Sequence, residues 1–268
     1  MEQERRGILY PERLPEFHRV PPPPALAHAV RWFWIPEWDL PEGAESRQEV
    51  LPFPACNVVV EPDGISAVGP TTRSSERVLV GRGWAVGALL LPAAVGAVVP
   101  DPASLRDAAR PLAEPTLHGV IRSAMGDLRR PGATRRAIAV GALADWLREL
   151  VAVPDPGSEA ALANRLAELL ADPALTRVDQ LPDLLHVSIR TLQRIADRSF
   201  GLSLHAMIRR RRLQEGAERL REDPALTLAA LAADLGYADH AHFTRDFTAQ
   251  LGVTPSRYRE RALRSELR

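Results

Sequence analysis

The sequence predicts an α+β protein of two domains, in which a β-rich N-terminal domain with some helices precedes an all-α C-terminal domain. Three observations predict this fold class. Short apolar runs broken by Pro and Gly occupy about the first hundred residues. Helix-spaced apolar residues follow them, and a pattern of about fifty residues then occurs twice before the C-terminus. A chain of 268 residues is long enough for two ordinary hydrophobic cores.

The β-rich part rests on four apolar runs that turn residues separate. They are RWFWI (31–35), CNVVVE (56–61), RVLVG (77–81) and WAVGALLL (84–91). Runs of this length between Pro- and Gly-containing turns are typical of strands in a small sheet or barrel. The prolines at 21–24 predict an extended lead-in, because Pro lacks a backbone N–H and disfavours helix in the residue before it.

From residue 102 onward the apolar spacing becomes helical. It predicts three helices before the repeat, over 116–130, 134–150 and 159–172. Residues 153–158 are rich in turn formers, and they predict either an interdomain linker or a helix–helix turn. We place the N-terminal domain at 1–155 and the C-terminal domain at 159–268.

One face of the predicted helix 134–150 is apolar. Its side chains are those of Ile138, Leu143, Trp146, Leu147 and Leu150. Such a stripe either forms a dimer interface, with the Trp as an anchor, or packs on the sheet of its own domain. The sequence alone favours neither interpretation.

The charges of the chain are balanced overall but not along its length. The 34 basic residues are all Arg, and they are matched by 34 acidic residues. Residues 1–172 hold 18 Arg and 22 Asp plus Glu, a net charge of −4, whereas residues 173–268 hold 16 Arg and 12 Asp plus Glu, a net charge of +4. A basic C-terminal third indicates nucleic acid as a partner.

The single cysteine, Cys56, excludes a disulfide framework and a four-thiolate zinc site within one chain. We expect it to be a small apolar strand residue, since a redox sensor would want a second, resolving thiol. The N-terminus lacks an apolar signal core, and no run of about 18 apolar residues occurs. We therefore expect a cytoplasmic protein without a membrane partner.

The C-terminal third contains an internal repeat. The stretch that begins at Leu175 matches the stretch that begins at Leu226, with one residue inserted in the second copy. The matched pairs are Leu181 with Leu231, Leu185 with Leu235, Leu192 with Phe243, Arg194 with Arg245, and Gly201 with Gly252. This repeat predicts two copies of one supersecondary unit, at about 175–201 and 226–252.

Each copy has the pattern of two helices joined by a tight turn. A short amphipathic helix ends in LHVS or LGYAD, and a second helix begins behind a capping residue, Ser188 or Asp239. Two helices joined by a turn of about three or four residues are the signature of the helix-turn-helix motif. In that motif the second helix lies in the DNA major groove with its N-terminal side chains on the base edges.

The second helices, over 189–198 and 240–250, are each predicted to expose a polar stripe. Phe243 and Phe247 are four residues apart and belong to the core, as do the apolar residues of the first copy. Arg and Gln are suited to the guanine and adenine edges. The residues that we expect to contact DNA are Ser188, Arg190, Thr191, Gln193, Arg194, His240, His242, Thr244 and Arg245.

The stretch LAADLGYADHAHFTRDFTAQLGVTPSRYR resembles the C-terminal signature of AraC/XylS-type transcription regulators. The residues that match are Gly236, Tyr237, Phe243, Arg245, Phe247, Gly252, Thr254, Pro255, Tyr258 and Arg259. The resemblance covers residues 173–262 and implies two helix-turn-helix units joined by a long helix, here 204–222. Thr254 and Pro255 also fit an N-cap and a first helical position.

The first unit is a looser match to this family. Pro182 stands where family members usually have a helix former, so its helix has to begin near Leu181. The joining helix contains four consecutive arginines, 209–212, which cannot all face one phosphate strand because successive residues point about 100° apart. The N-terminal domain is similar in style to small β-rich sensor domains of this family, which implies a cupin-like or related β fold that senses a ligand or dimerises.

Other candidate sites have less support. His240 and His242 project about 200° apart on one helix, so they cannot both bind one metal ion. Residues FHRV (17–20) resemble the active-site tetrad of DNA-repair methyltransferases, but Phe17 stands in place of the nucleophilic Cys. Trp32, Trp34, Trp38 and Trp84 line either a ligand pocket or the core, and we favour the core.

The sequence therefore predicts a sequence-specific DNA-binding transcription regulator that is not an enzyme and has no cofactor and no metal. Its expected partner is double-stranded DNA. A small-molecule effector, RNA polymerase and a second copy of the chain, in a homodimer, are further candidate partners. Two alternatives stay open: a repair or other enzyme fused to a DNA-binding domain, and a ligand-binding protein that does not bind DNA.

Overall fold

A computed structural model describes residues 16–50, 54–72 and 75–266. Its strands are β1 (Glu16–Val20), β2 (Val30–Asp39), β3 (Glu45–Val50), β4 (Asn57–Glu61), β5 (Gly64–Val68), β6 (Ser75–Val80), β7 (Arg82–Trp84), β8 (Val86–Leu90) and β9 (Ala109–Pro111). Its helices are α1 (Pro92–Val98), α2 (Pro115–Gly126), α3 (Gly132–Leu150), α4 (Glu159–Ala171), α5 (Leu181–Leu185), α6 (Ile189–Phe200), α7 (Leu204–Glu222), α8 (Leu228–Asp234), α9 (His240–Leu251) and α10 (Pro255–Glu266).

The N-terminal strands form one antiparallel sheet of seven strands and a ribbon of two. The sheet runs in the order β1-β2-β8-β4-β5-β9, with β7 beside the end of β2. Strands β3 and β6 form a separate two-stranded ribbon, from Glu45 opposite Val80 to Val50 opposite Ser75. Each predicted apolar run falls largely within a strand, so the β-rich character of this part is confirmed.

The core of the N-terminal part lies between one face of the main sheet and the helices α1, α2 and α3. Alternate residues of each strand point to this face, as the pleat requires. Its fully buried members include Phe33, Ile35, Val58, Val60, Ala88, Ile121, Leu143 and Leu147. The apolar faces of these helices therefore cover the sheet.

The burial of α3 decides between the two interpretations of its apolar stripe. Leu143 and Leu147 are 0% exposed and belong to the core of their own domain. The dimer-interface interpretation of this stripe is therefore wrong, and the core interpretation is confirmed. Leu150, at 42% exposed, does not take part in the core.

The tryptophans divide between the two faces of the sheet. Only Trp84, of the four that we assigned to the core, is a buried core residue. Trp34 and Trp38 are half-buried; Trp34 donates its ring N–H to the Asn57 side chain at 3.1 Å, and Trp38 donates to the Val80 carbonyl on the two-stranded ribbon at 3.2 Å. The core prediction was wrong for Trp32, Trp34 and Trp38, because the alternation of β2 points them to the sheet face opposite α1, α2 and α3.

The helical part contains two separate cores that α7 connects. The first core includes Leu204, Met207 and Ile208 from the N-terminal half of α7. The second includes Leu213, Ala217 and Leu220 from its C-terminal half. One long helix thus supplies a wall to each helix-turn-helix unit, as the resemblance implied.

Candidate nucleic-acid interface

The first helix-turn-helix unit consists of α5 and α6, which meet at a turn around His186. Helix α5 begins at Leu181 with Pro182 in its first turn, where a missing N–H costs no helical hydrogen bond. Its C-cap His186 has a φ of 55°. Helix α6 begins behind Ser188, whose hydroxyl accepts a hydrogen bond from the Thr191 amide at 3.2 Å. The predicted start near Leu181 and the predicted cap are both confirmed.

Packing fixes which face of α6 is available to another molecule. Leu192 and Ile195 are 0% exposed and are part of the first core. Arg190, Gln193 and Arg194 lie on the solvent side of the helix. Gln193 and Arg194 follow Arg190 by three and four residues, so all three side chains lie along the exposed face.

The second unit repeats this arrangement with α8 and α9. The Asp239 carboxylate accepts a hydrogen bond from the His242 amide at 2.6 Å and so caps α9. That hydrogen bond holds the pKa of Asp239 below its ordinary value, because it stabilises the ionised carboxylate. Phe243 and Phe247 are 0% exposed, whereas His240 and Arg245 face solvent.

His242 differs from the other candidates of the second unit because its ring contacts neighbouring side chains. Its ring meets Tyr237 edge-on, with 5.2 Å between ring centroids, and its Nε2 lies 3.8 Å from Asp246 Oδ2. Thr244 is half-buried, and its carbonyl accepts a hydrogen bond from the Thr248 hydroxyl. His240, His242 and Arg245 are thus exposed, but the His242 ring is also held by its contacts with Tyr237 and Asp246.

Ser188 and Thr191 have a local structural role at the start of α6. Their hydroxyl oxygens are 3.0 Å apart, and Ser188 also caps the helix. A helix N-terminus with free amides is favourable for a phosphate group. The two residues thus fix the start of α6.

Sequence reasoning missed an acidic partner of helix α6. Glu159, the first residue of α4, lies 3.0 Å from Arg194 and 3.5 Å from Arg198, measured between carboxylate oxygens and guanidinium nitrogens. All three side chains are at least about one-third exposed, so each pair contributes little to stability. No local sequence pattern predicts this contact, because Glu159 and Arg194 are on different helices.

The four consecutive arginines of α7 point to four different environments. Arg209 is exposed, and Arg210 is only 3% exposed. Arg211 donates to Glu215 at 2.9 Å, and the Arg212 guanidinium lies 4.1 Å from the centroid of the Tyr237 ring. The prediction that these arginines cannot act together on one phosphate strand is confirmed.

A cluster of possible metal ligands lies on the edge of the main sheet, in the N-terminal part of the chain. It contains Glu16, His18 and Glu37. Arg135 and Arg136 donate to Glu37 at 2.9 and 2.7 Å. Because two guanidinium groups already neutralise its central carboxylate, the cluster is better suited to an ion-pair network than to a metal ion.

A cavity of about 120 Å³ lies where the sheet meets the helical part. Its walls are mostly apolar and come from both sides, including Trp32, Leu89, Val95, Leu170, Phe200 and Met207. Arg31 and Arg211 also line it, and within the described residues no acidic side chain does. The cavity can therefore accept a small apolar molecule with an anionic group.

Comparison with known proteins bears on both halves of the chain. Residues 181–261 match the family model of a helix-turn-helix domain, and residues 18–109 match that of a domain of unknown function, DUF6597. A curated relative is the HTH-type transcriptional regulator MtrA of Neisseria gonorrhoeae, 32% identical over 83 residues. That match spans 31% of this chain and 27% of MtrA, so the chain covers about a quarter of the relative's length.

Solved structures are similar at lower identity. ToxT from Vibrio cholerae is 11% identical, with a TM-score of 0.42 over 85% of this chain and 96% of ToxT. The C-terminal domain of AraT, a response regulator from Geobacillus stearothermophilus, is 22% identical, with a TM-score of 0.33 over 38% of this chain and 83% of that domain. Among the described residues, no helix is long and apolar enough to span a bilayer.

Proposed function

We propose that the whole chain is a sequence-specific DNA-binding transcription regulator of the AraC/XylS type, because residues 181–261 match the family model of a helix-turn-helix domain. Helices α6 and α9 are its two reading helices. They lie in successive major-groove segments about 34 Å apart, one helical turn of DNA. Arginine–phosphate contacts supply the salt-dependent part of the affinity, and side chains on base edges supply the sequence preference.

One observation carries this proposal: two repeated units each bury the apolar face of the second helix and expose a polar stripe on the other. The exposed candidates on the two helices are Arg190, Gln193, Arg194, His240, His242 and Arg245. Contact of these residues with DNA, and of Ser188, Thr191 and Thr244, stays a prediction. Paired arginines at Arg194 and Arg245 are suited to guanine O6 and N7.

The test is selection of bound sequences from random duplexes with the purified chain. We expect one preferred sequence with two parts, each of which depends on a different reading helix. Arg194→Ala should relax the preference in one part and Arg245→Ala in the other. Arg165→Ala, an exposed arginine on α4, is the matched control and should leave both parts unchanged. A wild-type selection without any preferred sequence contradicts the proposal.

We further propose a division of labour along the chain. The domain 1–155 senses an effector and brings two copies together, and the domain 159–268 reads DNA. The regulator acts in the cytoplasm with RNA polymerase as a further partner. The dimer contact lies outside the apolar stripe of α3, because Leu143 and Leu147 are already buried within one chain.

The interdomain cavity is the site that we propose for the effector. Its volume of about 120 Å³ suits a ligand near the size of a benzene ring, and Arg31 favours a carboxylate, whereas Arg211 is already paired with Glu215. Benzoate should quench Trp32 fluorescence and raise the melting temperature, whereas benzamide should do so much less. Ala167→Leu, which fills the cavity from α4, should remove the benzoate effect; an equal response to both compounds contradicts this assignment.

A further inference from the structure

The C-terminal ends of the two reading helices are equivalent in sequence but not in environment. Gly201 ends α6 with a φ of +64°, and Gly252 ends α9 with a φ of +71°. A Cβ at Gly201 would lie 2.7 Å from the Pro102 carbonyl carbon and 2.8 Å from the Ala103 nitrogen. At Gly252, no atom of the described residues other than its own chain neighbours would lie within 4 Å of such a Cβ. The backbone of the N-terminal domain therefore packs directly on the end of the first reading helix, and the corresponding end of the second is open.

Arg106 of the N-terminal domain caps the first reading helix from outside. Its Nε and Nη2 both donate to the Gly201 carbonyl, at 3.2 and 2.6 Å. The last carbonyls of a helix have no partner within the helix, and a cation near them also interacts favourably with the helix dipole. Two charge-assisted hydrogen bonds thus hold the end of α6 to a residue 95 positions earlier in the chain.

Two loops of the N-terminal domain hold this cap in place. The Asp107 carboxylate accepts hydrogen bonds from the amide and the hydroxyl of Thr72, each at 2.5 Å, and so ties the loop after β5 to the loop that carries Arg106. The first of these loops also contacts the joining helix, because Arg210 Nη1 donates to the Thr71 carbonyl at 2.5 Å. One loop of the N-terminal domain therefore contacts the first unit, and the other contacts the joining helix.

Arg210 shows that this contact excludes water. The side chain is 3% exposed, and its Nε and Nη2 have no hydrogen-bond partner among the described residues. Burial lowers the pKa of Arg210 well below its ordinary value, with the nearby Asp107 carboxylate acting against the shift. A buried guanidinium with unpaired donors is costly, so the rest of the contact has to hold the two domains together.

We propose that Arg106 is a positioning residue for DNA recognition: through the Gly201 carbonyl, the N-terminal domain completes the first helix-turn-helix unit and fixes its reading helix, while the second unit reads DNA independently of that domain. This inference rests on the proposed function. The DNA bound by each unit forms one half-site of the operator. The two half-sites are therefore unequal, because only the half-site of α6 depends on contact between the domains.

The test is hydroxyl-radical footprinting of full-length variants on the selected operator, with Arg194→Ala and Arg245→Ala used to assign each half-site to its unit. Arg106→Ala should need about tenfold more protein to protect the α6 half-site, as expected for loss of a charge-assisted hydrogen bond. Protection of the α9 half-site should not change. Arg106→Lys, which keeps the cation, should recover part of the loss.

Arg110→Ala is the matched control. Arg110 lies on the same segment and also donates to a carbonyl, that of Val98 at 3.2 Å, but within its own domain. It should leave both half-sites protected. Equal loss at both half-sites, or no loss, in Arg106→Ala overturns the positioning role while the proposed function stands. A wild-type chain that protects no DNA overturns the proposed function, and the positioning role with it.

Discussion

Replacing Gly201 by Ala should destabilise the chain more than replacing Gly252 by Ala, although both glycines end a reading helix in the left-handed conformation. The two positions are matched in the repeat, so they share the cost of placing a side chain at positive φ. They differ in what the new methyl group meets. The comparison therefore isolates the contact between the N-terminal domain and the first unit.

The magnitude follows from the geometry. An Ala in the left-handed region costs about 1 kcal/mol relative to Gly, and this term applies at both positions. At Gly252 the methyl group enters open space, so the total stays near that value. At Gly201 it would lie 2.7 to 2.8 Å from backbone atoms of Pro102 and Ala103, so the turn has to move. Overpacking of this kind adds about 1–3 kcal/mol, which gives a total of about 2–4 kcal/mol.

Urea denaturation followed by two probes measures both effects. All five tryptophans lie within residues 1–155, so their fluorescence reports the N-terminal domain, whereas circular dichroism at about 222 nm reports mainly the helices. Gly252→Ala should lower the urea midpoint slightly and leave the separation between the fluorescence and circular dichroism curves as in the wild type. Gly201→Ala should lower the midpoint further and move the two curves apart, because the movement of the turn also breaks the Arg106 contact. Equal losses in the two variants would refute the reasoning.

Further predictions concern the site, the domains and the buried thiol. Arg245→Ala should cost about 1–3 kcal/mol of binding free energy on the best duplex and relax preference at one or two base pairs, measured by titration of point-variant duplexes. The fragment 159–268 should fold and bind DNA more weakly than the full chain, measured by circular dichroism and gel shift. Leu143→Glu with Leu147→Glu should abolish cooperative melting, because both positions are 0% exposed and the new charges would be unpaired. Burial raises the pKa of the Cys56 thiol to about 12, so a thiol reagent at about pH 8 should react only after unfolding. Since the unfolded thiol ionises first, stability should fall as pH rises from about 9 to 12, and Cys56→Ala should lessen that fall.

The helices of the repeat and their starting residues were the most predictable part of this protein, whereas the helix predicted over 116–130 ends already at Gly126. The joining helix spans Leu204–Glu222, as predicted, and the reading helices begin at the predicted residues behind Ser188 and Asp239. These features depend on side-chain spacing and on hydrogen bonds between residues a few positions apart. Such interactions are local, so the sequence alone is enough to predict them.

Only the tertiary structure decided which surface each face of a helix or strand packs against. The spacing in α3 could not tell a dimer interface from a core, and the alternation in β2 could not tell which tryptophans face the helices. Burial of Arg210 and the approach of Arg106 to Gly201 were not predictable from either segment alone. Each of these outcomes depends on contacts between residues far apart in the chain, and local periodicity specifies a face of an element without specifying the surface that covers it.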